Sequence, residues 1–264
     1  MPAHQDQYVG TRDLTWWRTP VGRLLVRSLA PLVRWIGPHA ALLLIVGIGG
    51  GIAGALTAAS AEVYEAVVES DGVAALDRPV LELAVSLRQD WFSAFMTGYT
   101  TIGGPIGMPV LALGIMVLLA VRRRSWTPVI LVPAAALGSL LMTIAGKDAI
   151  GRLRPPQEFA VPPYETSPSF PSGNALNALV IAGIVAYLLV VRRHRRRTRV
   201  LIVALALVFA VTMGLSRVYL GHHWLTDVLV AWTLGVAWLA VVITSHRVLL
   251  TFRLRRATPE DHTA

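Results

Sequence analysis

Three short polar clusters interrupt an otherwise apolar run between residues 147 and 227: KDAIGRLRPP at 147–156, FPSGN at 170–174 and SRVYLGHHWLTD at 216–227. The first opens on Lys147 and reaches Arg154-Pro155 after six residues. The second is Phe170-Pro171-Ser172-Gly173-Asn174. The third is Ser216-Arg217, then five intervening residues, His223, three intervening residues and Asp227. Lys147 is the only lysine of the chain, although Lys and Arg together number 24. A composition that elsewhere uses arginine keeps a compact, rotatable ammonium here, inside a cluster of anion-binding residue types.

The surroundings of these clusters are those of a membrane protein. Apolar residues make up 55% of the 264 and charged residues 15%, too few to cover a soluble surface of this size. Without cysteine, disulfides and thiolate metal sites are excluded. The net charge of +9 is read as arginine at the cytoplasmic ends of spans, not as a nucleic-acid surface, because the basic residues flank apolar runs.

Six spans are expected, at 38–60, 105–121, 126–146, 172–191, 200–216 and 224–245. Before them, Trp16, Trp17, Arg18, Arg23, Arg27, Arg34 and Trp35 suit a membrane-surface helix over 13–36. For 1–12 such a helix and a disordered tail are both open. In the first span Gly47/Gly51 and Gly50/Gly54 have the small-xxx-small spacing of close helix packing. Ala59-Ser60-Ala61 has the form of a signal-peptidase site, but the long polar lead-in favours an uncleaved span. Seven acids follow (Glu62, Glu65, Glu69, Asp71, Asp77, Glu82 and Asp90), and 61–104 reads as one or two amphipathic helices at the membrane face. Prolines at 155, 156, 162, 163, 168 and 171 make 148–171 an irregular loop.

The organisation is thus a basic interfacial segment (1–37), a six-span membrane domain (38–246) and a basic tail (247–264), an all-α polytopic bundle with interfacial helices. The basic segments at the N-terminus, 122–124, 192–199 and 247–256 fall on one side, which the positive-inside rule makes cytoplasmic along with both termini. All three polar clusters then meet at the outer face of what the arginine and alanine bias suggests is a bacterial cell membrane.

Chemically, the clusters bring together one lysine, two or three arginines, a serine, a glycine at a helix start, one or two histidines and an aspartate, and lysine and arginine bind phosphate oxygens by charge-assisted hydrogen bonds. Ser172-Gly173 opens a helix whose N-terminal N–H groups and dipole attract anions. No cluster has the carboxylates or histidines of a Mg or Zn site, so no metal or other cofactor is expected. His223 and Asp227, read as four apart at a helix start, share a face. An aspartate on one ring nitrogen leaves the other as a nucleophile. The alternative for that pair is an interfacial histidine bonded to a nearby helical acid, against which stands the cost of Asp227 barely one turn into a span.

The order Lys-x6-Arg-Pro, Pro-Ser-Gly-His, Ser-Arg-x5-His-x3-Asp marks the type-2 phosphatidic acid phosphatase superfamily, related to vanadium haloperoxidases. The chain resembles its six-span membrane branch over roughly 75–245. The resemblance implies a metal-independent lipid phosphate or diphosphate phosphatase. Lys147, Arg154 and Arg217 would hold the phosphate with Ser172 and Gly173, His223 would become the phosphohistidine, and Asp227 would orient it. Arg152 matches a frequent but not defining arginine, and His222 is a neighbour only. Polyprenyl diphosphate, phosphatidylglycerol phosphate and phosphatidate all present the same phosphate to such a cradle, so lipid phosphates and the surrounding membrane lipids are the expected partners, and nucleic acid is not.

One position departs from the pattern. Asn174 stands where the family carries the histidine that protonates the leaving group, and asparagine cannot deliver a proton. Three readings are open. Asn174 is an introduced change that traps substrate or phosphoenzyme. Or it is natural, in an enzyme whose leaving group needs little protonation, such as the lipid monophosphate released from a lipid diphosphate. Or it marks a pseudoenzyme that binds a lipid phosphate without turnover. A non-enzymatic assembly or transport role is the competing class; few ionisable groups lie within the spans to line a transport path.

Overall fold

The computed structural model describes residues 7–37, 40, 46–47, 49–51 and 73–257. Two two-residue strands, β1 (Tyr8–Val9) and β2 (Arg12–Asp13), form a hairpin where a tail or helix was expected; Gly10 turns it with a φ of 63°. Helix α1 (Pro20–Ile36) begins later than the expected residue 13 because Pro20 sits at its first turn and Thr19 caps it, its hydroxyl accepting from Gly22 N at 3.1 Å. Val26 and Val33 of α1 pack on Val248 and Phe252 near the other end of the chain.

A short 3₁₀ turn (Val73–Leu76) leads into α2 (Asp77–Ser86) and α3 (Asp90–Ile102), the two amphipathic helices expected of this region. After Gly103-Gly104 the chain bends by 54° into α4 (Gly107–Arg123). The close approach there explains the glycines: a Cβ on Gly103 would lie 2.5 Å from Met213 Sδ, and one on Gly107 2.4 Å from the Thr101 carbonyl. Four long helices follow or include the remaining spans: α5 (Thr127–Ile150), α6 (Gly173–Val190), α7 (Arg196–Tyr219) and α8 (Leu225–Ala257).

Helices α5 to α8 are each long and apolar enough to cross a membrane, and the bent α3–α4 pair makes a fifth if it is one broken span. The sixth expected span, 38–60, and the 61–72 stretch fall mostly outside the described residues. Gly50 within that span, with its neighbour Gly49, lies against Trp238 and Val241 of α8, whereas among the described residues Gly47 and Gly51 have nothing within 4 Å; Gly54 lies outside them. Helix α6 is the centre of the bundle, touching α4, α5, α7 and α8. Its buried Ala175, Leu176, Ala178, Val180, Ile181, Ile184, Ala186 and Leu188 fall on all sides, the pattern of a helix surrounded by others. Trp238 of α8 reaches across to α5: its indole N–H donates to Ala135 O at 2.9 Å, in space that only Gly138 leaves free.

The helix ends differ from the sequence reading in ways that matter for the site. Helix α5 continues past residue 146 through Lys147 to Ile150, ending on Gly151 in the left-handed conformation (φ 59°). Lys147 therefore projects from a last helical turn rather than from the loop. Helix α8 begins at Leu225, so His222 and His223 lie in a non-helical turn at 220–224, not on a helix face.

Candidate active site

The turn before α8 is built around Gly221, whose φ of 72° disfavours any side chain and whose would-be Cβ would lie 2.0 Å from the Phe159 carbonyl. Val161 N donates to Leu220 O at 2.9 Å, fastening the proline-rich loop to the histidine turn, and Ser169 N donates to Arg152 O at 2.8 Å, closing the loop on its own start. Arg88 donates twice to Tyr219 O, at 2.9 and 2.7 Å, neutralising the carbonyl end of α7. Three stretches far apart in sequence are thereby held together at one end of the bundle.

His223 is almost fully buried, and its ring nitrogens have different partners. Nδ1 lies 3.5 Å from Asp227 Oδ2 and 3.4 Å from Ser169 Oγ. Nε2 lies 3.2 Å from Arg154 Nη1, an obligate donor, so Nε2 carries the lone pair and Nδ1 the proton. Burial, with the charges of Arg217 and Arg154, holds the imidazole down at about 4 against the opposing pull of Asp227, so it is neutral at physiological pH. The ring therefore turns its lone pair toward Arg154.

Asp227 is fixed at every oxygen. Oδ2 accepts from Ser169 Oγ at 2.5 Å and from Trp224 N at 3.0 Å, the latter a third-residue side chain reaching back to the helix cap. Oδ1 accepts from Arg152 Nη1 at 2.5 Å. Arg152 spans two carboxylates, its other arm donating to Asp77 Oδ2 at 2.7 Å. Asp77, the first residue of α2, also accepts from Thr226 N at 2.8 Å and Thr226 Oγ1 at 2.6 Å.

The cations converge on one segment of the loop. Lys147 Nζ donates to Ser167 Oγ at 3.1 Å and to the Pro168 carbonyl. Arg154 donates to Ser167 O at 2.7 Å, to His222 O at 2.5 Å and to Glu165 Oε2 at 2.7 Å. Arg217 donates through Nη2 to Glu165 and through Nη1 to Thr100 Oγ1 at 3.2 Å. Although burial works to raise it, the Glu165 carboxyl is held down at about 2 by Arg217 and Arg154. A loop carboxylate thus bridges the two arginines with one oxygen each, as a phosphate does.

Ser172 starts α6 with its hydroxyl buried and without a hydrogen-bond partner, while its N–H donates to the backbone carbonyl of Asp227 at 3.3 Å. That N–H is therefore engaged, and the group left unbonded at the helix start is the Ser172 hydroxyl. A Cβ on Gly173 would lie 3.1 Å from Thr143 Cγ2, so glycine lets α6 close on α5. Asn174 turns to α3, donating to Thr100 O at 3.1 Å and Thr100 Oγ1 at 3.3 Å, and so meets Arg217 through a shared threonine. His222 donates from Nε2 to Val161 O at 2.6 Å and serves the loop, not the imidazole pair.

All eight residues singled out in the sequence lie at this end of the bundle, and all but Gly173 are tied into it by hydrogen bonds or shared partners. Sequence reasoning missed Asp77, Thr100, Glu165, Ser167 and Ser169, and left Arg152 without a role. Only Glu165 had a visible signal, an acid set among prolines between two basic clusters. Below the site, α4, α6 and α7 line an open apolar cavity of about 300 Å³ that includes Met108, Ile115, Ile181, Val185, Leu205 and Phe209.

Comparison with known proteins identifies the family. Residues 127–249 match the family model described as PAP2 superfamily. The chain is 32% identical to phosphatidylglycerophosphatase B of Bacillus subtilis over 66% of its own length and 85% of that protein's. It is 33% identical to an undecaprenyl-diphosphatase of Sulfolobus acidocaldarius over 53% of its length and 64% of that protein's. The crystal structure of the transmembrane PAP2-type phosphatidylglycerolphosphate phosphatase from Bacillus subtilis superposes with a TM-score of 0.61 at 27% identity, covering 81% of this chain and 98% of that one. With helices built to cross a membrane and a polar site gathered at their end, the chain belongs to the PAP2 superfamily.

Proposed function

We propose that the protein is a lipid phosphate phosphatase that removes a terminal phosphate at the extracytoplasmic face of a bacterial cell membrane, with His223 as the nucleophile. The carrying observation is a buried, neutral imidazole whose Nε2 lies 3.2 Å from Arg154, beside Lys147, Arg217 and the buried Ser172 hydroxyl. The sidedness rests on the basic stretches 122–124, 192–199 and 247–256, which lie at the helix ends opposite the site.

In the first step the Nε2 lone pair forms a bond to phosphorus, and the bond from phosphorus to the leaving oxygen breaks with its electrons going to that oxygen. Arg154, Arg217 and Lys147 balance the charge on the equatorial oxygens. Asp227 balances the positive charge that forms on the ring. In the second step water attacks the phosphohistidine, releasing orthophosphate and returning the imidazole. The cavity between α4, α6 and α7 begins about two turns below Asn174 and Arg217, where an acyl or prenyl chain reaching the site through the leaflet fits.

Asn174 gives this reading its substrate preference. An alkoxide needs a proton to leave, whereas a lipid monophosphate leaving from a diphosphate already carries its charge stably, with a second pKa of about 6. A diphosphate therefore tolerates asparagine and a monoester does not. The test is phosphate release from a polyprenyl diphosphate, phosphatidylglycerol phosphate and phosphatidate, by this chain and by Asn174→His. Hydrolysis of the diphosphate by this chain, with monoester turnover rising about 10²-fold or more in the variant, is the expected outcome. Silence of both proteins on every substrate sinks the phosphatase reading in favour of a lipid-phosphate-binding protein without turnover.

A further inference from the structure

Asp77 lies outside the polar clusters and outside the family-matched stretch, yet it is buried and fully bonded within the site. The three side chains Asp77, Arg152 and Asp227 form a row with exposures of 6%, 16% and 0%. Arg152 gives one arm to each carboxylate, at 2.7 and 2.5 Å, and stacks over Trp224 at 5.6 Å. Counted together the row carries one net negative charge, and the imidazole of His223 is the group facing it. Were Arg152 balanced by Asp227 alone, the row would be neutral, and the positive charge that forms on the ring in phosphoryl transfer would have no counter-ion.

We propose that Asp77 is a positioning residue: it takes up the charge of Arg152, leaving the carboxylate of Asp227 to serve His223. The inference rests on the phosphohistidine reading above. The same carboxylate binds the N–H and hydroxyl of Thr226, the residue before Asp227, and so fixes from α2 the rotation of the first turn of α8. Its own place at the first position of α2 suits a negative charge, since the helix dipole is positive there. The imidazole is otherwise faced by Ser169 and Asp227 at Nδ1 and Arg154 at Nε2, with Arg217 and Glu165 beyond, and none of these touches Asp77.

The test uses the full chain in detergent micelles with a polyprenyl diphosphate as substrate. Asp77→Asn lowers kcat about 10–100-fold, the effect of one lost charged interaction, while KM changes less than about threefold because no phosphate ligand is touched. In an Asp227→Asn background the same change costs less than about twofold, because the group it acts through is gone. Thr226→Val, which removes the cap hydroxyl and no charge, leaves kcat well above that of Asp77→Asn. Equal losses in both backgrounds, or a loss confined to KM, overturn the proposal and leave Asp77 a cap for α8. Should the wild type hydrolyse no lipid phosphate, the phosphatase reading fails by itself. The His223 ring, followed by NMR of labelled histidine, then decides: its titration moves to lower pH in Asp77→Asn if the proposal holds, and an unmoved titration refutes it.

Discussion

Replacing Glu165 by glutamine removes a charge and keeps the shape of the side chain that bridges Arg154 and Arg217. Both arginines are largely buried, with side-chain exposures of 13% and 3%, while Glu165 itself is 37% exposed. A buried hydrogen bond to a charged group contributes about 1.5–3 kcal/mol and an exposed ion pair about 0.2–1 kcal/mol. A pair of bonds from a half-exposed carboxylate therefore holds the loop in place by about 1–2 kcal/mol. At 1.4 kcal/mol per decade, the phosphate cradle of the wild type is open roughly one tenth of the time. An anion that must displace Glu165 binds weaker by that factor, so Glu165→Gln binds orthovanadate about tenfold tighter by calorimetry. The inhibition constant of inorganic phosphate and the KM for lipid substrate fall together, because a competitor removed from the free protein weights every ligand alike. Since Glu165 is held at about 2, the advantage of the variant is flat from pH 5 to pH 8. Orthovanadate affinity unchanged or weakened in the variant refutes the reasoning and makes Glu165 a partner of bound phosphate instead of its rival.

Lys147→Arg keeps the charge but puts a longer, planar group where Nζ now meets Ser167 and Pro168; loss of one charge-assisted contact raises KM about tenfold or more, read from initial rates. His223 binds its proton at about 4 in the folded chain against 6.5 when unfolded, so the unfolded chain takes up more protons between those values. Stability is full above pH 6.5 and is lost as pH falls toward 4, by about 2 kcal/mol between pH 7 and pH 5. A thermal midpoint in detergent that drops over that interval, and drops less in His223→Gln, is the expected result; the residual slope belongs to His222, which burial lowers in the same direction. Gly138→Val sets a side chain where a Cβ alone would lie 2.1 Å from the Trp238 ring, costing about 1–3 kcal/mol by overpacking, and a thermal midpoint equal to wild type would refute that packing.

The difference between what the chain disclosed as a sequence and what it did not follows the physics of each part. Spans were legible because a bilayer demands long apolar runs, and α5 to α8 lie where those runs lie. Their ends were misjudged where a charge was taken as a boundary: Lys147 is the last-turn residue of a helix that Gly151, not the lysine, brings to a close. The cations of the site were legible because Lys147, Arg154 and Arg217 stand in compact polar clusters within an apolar chain, at the spacings of the family pattern. The groups that answer them were not, because an acid's partner is chosen by the fold. Seven acids between 61 and 90 look alike in sequence, and only the packing of α2 on the start of α8 selects Asp77 to meet Arg152. Ser167 and Ser169 lie in a proline-rich loop with no period to read, and their roles come from the fold: Ser169 N is tied to Arg152 O, and Ser167 meets Lys147 and Arg154. The His223–Asp227 pair was found for a reason that does not hold, since the histidine precedes the helix. What brings the two together is Gly221, whose positive φ turns the chain so that an imidazole before the helix meets a carboxylate in its first turn. A substitution at Gly221 therefore strikes the turn that sets His223 against Asp227, a loss that the spacing of the polar clusters by itself gives no reason to expect.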